Sequence, residues 1–180
     1  EITIWSDETG RMIRLSAPAQ SLEVVREDIA AVSSRTVTIS RPNDERVNIP
    51  SNGFSLAGTI SKPVSTGKLP AVVFLHGSGG DRSEQLDTAV ALAKRGAIAM
   101  TITAPSTGKT APPGATGEEL VRWQGATLAA DVVAARRAFD VLAGDDRVDD
   151  ERLGLVGWSL GGRLASIVAG VDDRVRATVL

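Results

Sequence analysis

The stretch Gly154-Leu155-Val156-Gly157-Trp158-Ser159-Leu160-Gly161-Gly162 constrains this chain more than any other. A short apolar strand, Arg152 to Val156, runs into a glycine. Apolar residues then recur at Leu160, Leu164, Ile167 and Val168, a helical spacing. The order is strand, tight turn, helix, with Ser159 at the apex. Gly157 to Gly161 read G-x-S-x-G, the pattern of a nucleophile elbow. A serine hydroxyl is a poor nucleophile unless a base takes its proton, so it must stand exposed and reachable. A strained turn achieves this, and flanking glycines let strand and helix come close. The N–H of Leu160 opens the helix and faces the same space, where unpaired donors and the helix dipole favour negative charge. Five such residues also arise by chance, and it is the strand before and the helix after that favour an elbow.

Bulk properties exclude several classes. The chain has 180 residues, enough for one domain and an appendage. With 42% apolar and 23% charged residues it reads as globular. A net charge of −2 argues against nucleic acid or an anionic membrane as partner. No apolar run is long enough to span a bilayer, and no N-terminal signal pattern is present. The absence of cysteine removes disulfides, thiolate catalysis and Cys-based zinc sites, and leaves the compartment open. With His76 the single histidine, no transition-metal site is expected.

Taken in order, Ile2 to Trp5 and Met12 to Leu15 flank a polar, glycine-ended turn and predict a hairpin. Leu22, Val25 and Ile29 have a helix-like spacing, and Arg35 to Ile39 alternates like a strand. Residues 1–34 are expected to be a β-rich segment or the tail of a preceding domain, and 35–180 the main domain. Arg46 to Ile49 and Phe54 to Ile60 surround Asn52-Gly53, a strong hairpin signal. Ala71 to Leu75 is a continuous apolar run, as in a strand buried on both faces. It ends in His76-Gly77-Ser78-Gly79-Gly80. Leu86, Val90 and Ala93 predict a helix ending before Gly96, and Ala97 to Thr103 the next buried strand. After a Pro/Gly/Thr loop over 104–117, Thr116 and Glu119 look like a capping box. The helix that follows carries Leu128, Val132, Ala135, Phe139 and Leu142. Arg176 to Leu180 begins one more strand. Alternating strands and helices predict an α/β fold with a mostly parallel sheet and helices on both faces. Ligands of such sheets bind beyond the carboxyl ends of the strands, where Gly77 to Gly80 and Ser159 both fall.

The loop at His76 to Gly80 admits other readings. A dinucleotide fingerprint needs G-x-G-x-x-G, but Arg82 stands at the third glycine. Gly108-Lys109-Thr110 looks like a phosphate loop, but Thr103 replaces its first glycine. The better reading is the second half of an oxyanion hole. A tetrahedral intermediate needs about two converging donors, and losing one costs ~10²–10³ in rate. Leu160 N–H is one, and the N–H of Ser78 is the expected other. The bland alternative is an ordinary strand-to-helix turn.

In these residues the chain resembles the α/β-hydrolase superfamily. The matching pieces are His76-Gly77-Ser78-Gly79-Gly80 and Gly157-Trp158-Ser159-Leu160-Gly161-Gly162. Phe54-Ser55-Leu56-Ala57-Gly58 ahead of them looks like the dienelactone-hydrolase and prolyl-oligopeptidase-like branches. The resemblance covers residues 45–180. It implies acyl transfer to water without a cofactor: a small-molecule ester, or a related acyl bond, is attacked by Ser159. Ser78 and Leu160 would form the oxyanion hole, with His76, Gly77, Gly79, Gly157 and Gly161 as support. The resemblance also implies the chain order Ser, acid, His. His76 lies upstream of Ser159 and is structural in similar proteins. Asp172 and Asp173 come too early to be the acid and read as a solvated turn. The acid and the base are therefore expected beyond residue 180, in a longer hydrolase of which this segment alone would be inactive. A prolyl-oligopeptidase-like peptidase and a non-catalytic module on the same scaffold are the alternatives.

Some features have bland readings. Trp158 and Trp123 are expected to pack, although either could touch substrate. Asp145, Asp146, Asp149, Asp150 and Glu151 do not match a calcium loop and read as a solvated turn.

Overall fold

Leu69–Leu75 is an inner strand of the larger of two sheets, as its apolar run requires. The computed structural model describes residues 2–18, 22–25, 44–51, 54–63 and 67–180. Two compact units are present, Glu1–Val37 and Thr38–Leu180.

The first unit holds a three-stranded antiparallel sheet of β1 (Thr3–Ser6), β2 (Met12–Ala17) and β3 (Leu22–Val25). The expected hairpin is present, and Asp7 builds its turn. Its Oδ1 accepts the N–H groups of Thr9 and Arg11, both at 3.0 Å. Arg14 sits opposite Trp5 in register and stacks over its ring at 5.1 Å. The helix-like spacing at Leu22 and Val25 is overruled. These residues form β3, because pairing with β2 outweighs a weak periodicity in a β-branched run. Ile29 and the strand expected at 35–39 lie outside the described residues.

The second unit holds a six-stranded sheet. β4 (Asp44–Ser51) and β5 (Phe54–Ser61) form the expected hairpin, with Ser51 opposite Phe54. β5 then pairs antiparallel with β7 (Ile98–Ile102). From there the sheet is parallel: β7, β6 (Leu69–Leu75), β8 (Val148–Gly157) and β9 (Val175–Val179). The spatial order is β4-β5-β7-β6-β8-β9.

Side chains alternate across this sheet, so its faces carry different helices. Ala71, Val73 and Leu75 pack with α2 (Gly117–Ala143) and α3 (Leu160–Val171), through Ala134, Ala138, Phe139, Leu164 and Val168. Phe74 points the other way, to Ala89 of α1 (Leu86–Ala93). The fold is therefore α/β, with helices on both faces. α2 has 27 residues and is about 40 Å long, whereas β6, with 7, spans about 23 Å. Burial in α2 begins at Asp131, and Gly117 to Ala130 is exposed or half-buried. That first half follows the loop after β7, at the carboxyl edge of the sheet.

Three local expectations need correction. Thr116 is the N-cap of α2 but makes no side-chain capping bond. Gly117 opens the helix at φ +55, which breaks the first-turn geometry a capping box needs. β8 begins at Val148, so the acidic turn is shorter than its sequence suggested. Within it, Asp145 is not simply solvated: it pairs with Lys62 at 2.9 Å and with Arg147. Asp172 is buried rather than solvated, and it accepts from Arg174 at 2.7 Å and Arg136 at 3.2 Å. The two guanidiniums, Arg174 foremost, outweigh the cost of burial and hold its carboxyl at about 2.

A depressed folded-state pKa contributes stability above the unfolded value, near 3.9, that is lost as pH falls through about 2. Asp172→Asn should therefore cost about 2 kcal/mol at neutral pH and flatten the acid limb between pH 4 and 2. Urea unfolding across that range checks this, and parallel curves for both proteins would refute it.

Candidate active site

The close approach of two backbones creates the elbow. A Cβ on Gly161 would collide with the Leu75 carbonyl, and one on Gly157 with the carbonyl of Gly161. Only glycine permits this packing. The Trp158 N–H donates to Leu75 O at 3.1 Å, so the turn is hydrogen-bonded to the end of the central strand. Between strand and helix, Ser159 is forced to φ 53 and ψ −111. Among the described residues it alone combines a side chain with positive φ. Such a conformation costs of order 1–3 kcal/mol and persists only where its surroundings enforce it. Ser159 is exposed. Its carbonyl accepts the N–H of Gly162 at 3.0 Å and of Arg163 at 3.2 Å, which closes the first turn of α3. The N–H of Leu160 has no acceptor among the described residues.

The loop after β6 lies beside this serine. A Cβ on Gly77 would sit 3.6 Å from Ser159 Cβ and 3.1 Å from Trp158 Cδ1. Gly80 N–H donates to Gly77 O at 3.2 Å, and Gly79 has φ +76, the pattern of a type II turn. His76 is buried beneath it, and both its ring nitrogens are engaged. Ala104 N–H donates to Nε2 at 2.9 Å, so the ring proton lies on Nδ1 and is donated to Gly77 O at 2.7 Å. A trans peptide is planar, with its C=O and N–H opposed. Fixing Gly77 O therefore aims the N–H at the other end of the same unit, that of Ser78. Neither Ser78 N–H nor Gly79 N–H has an acceptor among the described residues.

A cavity of about 750 Å³ adjoins the two motifs. His76 to Gly79 and Leu160 line one side, Ser106 to Thr110 another, and the first half of α2 the rest, with Trp123 and Leu128. Trp123 thus lines the crevice rather than the core. Trp158 is 64% exposed, so it does not fill the interior as expected; it covers Gly77 instead. The lining carries three charged side chains, Lys109, Asp131 and Arg163. Asp131 is buried and accepts Ser106 N–H at 3.0 Å. Burial raises its pKa, against the opposing hydrogen bonds from Ser106. No cluster of ligating side chains with metal-site geometry occurs among the described residues. Sequence reasoning missed Asp131 and Glu84. Asp131 had a signal, because it interrupts the apolar stripe of α2 between Leu128 and Ala135. Glu84 had none.

A strained serine between a parallel strand and a helix, beside a glycine loop at the same sheet edge, defines an α/β-hydrolase fold. The sequence profile of the dienelactone hydrolase family matches residues 56–180. A Bradyrhizobium protein named "Probable 2-oxo-3-(5-oxofuran-2-ylidene)propanoate lactonase" is 33% identical over 128 residues, 68% of this chain and 50% of its own. The chain thus spans about half the length of that relative. The hyperthermophilic esterase of the archaeon Pyrobaculum calidifontis superposes with a TM-score of 0.57 at 26% identity, over 76% of this chain and 42% of its own. An acetyl xylan esterase from Paenibacillus sp. R4 gives 0.57 at 20% identity, over 75% and 52%. The chain belongs to the dienelactone hydrolase family.

The strain has a measurable sign. Ser159→Gly should raise stability by about 1 kcal/mol, because relief of φ strain exceeds the entropy cost of glycine. Gly161→Ala should destabilise by 2 kcal/mol or more (roughly), since its Cβ meets backbone. Thermal unfolding of both variants checks the pair. A Ser159→Gly protein less stable than its parent would contradict the strain.

Proposed function

We propose that the full-length protein is a serine hydrolase acting on a carboxylic ester or a related acyl bond such as a lactone. Ser159 Oγ attacks the carbonyl carbon and gives its proton to a histidine base expected beyond residue 180, itself oriented by an Asp or Glu expected between residue 180 and that histidine. The N–H groups of Ser78 and Leu160 hold the oxyanion. The tetrahedral species collapses, the C–O bond breaks, and the alcohol leaves with the proton. Water repeats the sequence on the acyl-enzyme. The observation that carries this reading is the strained, exposed Ser159 beside two backbone N–H groups that have no acceptor among the described residues. His76 serves as support for the Ser78 peptide, since both its nitrogens are already engaged. Membership of the dienelactone hydrolase family adds support.

The cavity favours an acyl substrate that carries an acid group. Arg163 lies in the first turn of α3, where a cation works against the helix dipole. Arg163 lines the cavity, and its guanidinium makes no ion pair or hydrogen bond among the described residues. Asp131, on the same lining, is committed to Ser106. A carboxylate on the substrate would give Arg163 a partner. The name of the Bradyrhizobium relative, a propanoate-bearing lactone hydrolase, agrees with that chemistry.

Fluorophosphonate should label the full-length protein and not its Ser159→Ala variant, with kcat falling by at least about 10⁴. Equal labelling of both proteins would sink the assignment and favour a non-catalytic module. Arg163→Gln should lower the kcat/KM ratio of p-nitrophenyl hemisuccinate over p-nitrophenyl butyrate about tenfold. An unchanged ratio would remove the acid group from the substrate description.

A further inference from the structure

We propose that Glu84 is a positioning residue that sets the catalytic rate by holding Gly77 and, through it, the Ser78 N–H in the oxyanion orientation. This rests on the hydrolase reading above. Gly77 is the hinge of the glycine loop, and without a Cβ its backbone has wide conformational freedom. Its carbonyl side is fixed by His76. Its N–H donates to Glu84 Oε2 at 3.1 Å. Both peptide units flanking Gly77 are therefore held, one by a carboxylate and one by an imidazole, and neither can turn without losing a bond.

The residue is at the surface, but its carboxylate is packed closely against the glycine loop. A Cβ on Gly80 would overlap Glu84 Oε2 and lie 3.1 Å from Cδ, so the glycine at position 80 leaves the space that the carboxylate fills. A Cβ on Gly77 would be 3.3 Å from the other oxygen, Oε1. The approach of Glu84 is itself arranged. Asp81 Oδ1 accepts the Ser83 N–H at 2.7 Å and the Ser83 hydroxyl at 2.5 Å, an Asx turn that bends the chain back over the loop before α1. Arg82 N–H donates to Thr103 Oγ1 at 3.2 Å and anchors the same turn to the end of β7. Glu84 is exposed and contributes no apolar burial that would otherwise explain its place.

A donor that is merely mis-aimed should cost less than one deleted outright. Glu84→Ala is expected to lower kcat for a p-nitrophenyl ester ~10–100-fold with KM within about twofold, since the Ser78 donor acts on the transition state. Glu84→Gln keeps an acceptor oxygen and should recover to within about threefold of the parent. Gly80→Ala displaces the carboxylate and should mimic Glu84→Ala. Added to Glu84→Ala it should cost less than about twofold more, because both changes remove one interaction. Measured on the full-length protein, an unchanged kcat in Glu84→Ala, a loss carried by KM, or additive losses in the double variant would overturn the role. Should Glu84→Ala fail to fold, a Glu84→Gln protein with less than a tenth of the parental kcat would overturn it as well. Activity surviving in Ser159→Ala would instead refute the hydrolase reading itself.

Discussion

Everything at the sheet edge depends on one contact between backbones. The first turn of α3 rests against the last residue of β6, with Gly161 Cα in the space beside Leu75 C=O. No side chain fits there, so the strand-to-helix turn is tighter than an ordinary residue tolerates. Ser159 takes up the difference as a positive φ. The energy to hold it comes from the core on either side: Val73, Leu75 and Leu155 in the strands, Leu164 and Val168 in the helix, all buried. Each such side chain contributes roughly 1.5–3 kcal/mol of burial, against a backbone strain of about 1–3. The core therefore outweighs the strain several times over.

The second motif is fixed by polar contacts, because it lies beyond the reach of the core. A continuous chain of bonds crosses the loops at the carboxyl edge of the sheet. Asp131 of α2 holds Ser106, Ala104 N–H holds His76 Nε2, and His76 Nδ1 holds Gly77 O. Thr107 Oγ1 adds a bond to Gly80 O at 3.3 Å. The buried members of this chain, His76 and Asp131, cannot lose their partners cheaply, since an orphaned buried polar group costs about 1–3 kcal/mol. That asymmetry makes a run of glycines rigid. It also accounts for the placement of His76: a tautomer with one nitrogen accepting and the other donating links the loops after β6 and β7.

What the sequence revealed follows from how local each determinant is. The central strands announced themselves as apolar runs at 71–75 and 97–103, and the elbow by glycine spacing within five residues. Those are short-range signals, read from neighbours in the chain. The failures have a common origin in tertiary context. Leu22 to Val25 became a strand through pairing with β2, and Asp172 was buried because Arg136 and Arg174 arrive from elsewhere. Trp158 and Trp123 were expected to pack by the average habit of tryptophan, whereas Trp123 lines the cavity and Trp158 stands exposed over Gly77. Glu84 is the extreme case. Its carboxylate meets Gly77 and Gly80 only because an Asx turn reverses the chain, and nothing in its identity or spacing marks it.

Among the described residues, the contacts that shape Ser159, Ser78 and Leu160 come from β6, β8, α3 and the loops after β6 and β7, within the unit Thr38–Leu180. In the proposed mechanism a proton acceptor would then add to a site that is already arranged. This separation is physically sensible. Oxyanion stabilisation works through dipoles that need no reorganisation as charge develops, so it belongs on backbone that is firmly held, by packing at Leu160 and by hydrogen bonds around Ser78. Proton transfer needs a group that can approach and turn, and suits a loop. Hydrolases that lose a member of the triad retain ~10³–10⁴ of catalysis over water from the oxyanion hole and binding alone. In the proposed mechanism, that residue of catalysis is the part for which the geometry described above would be responsible.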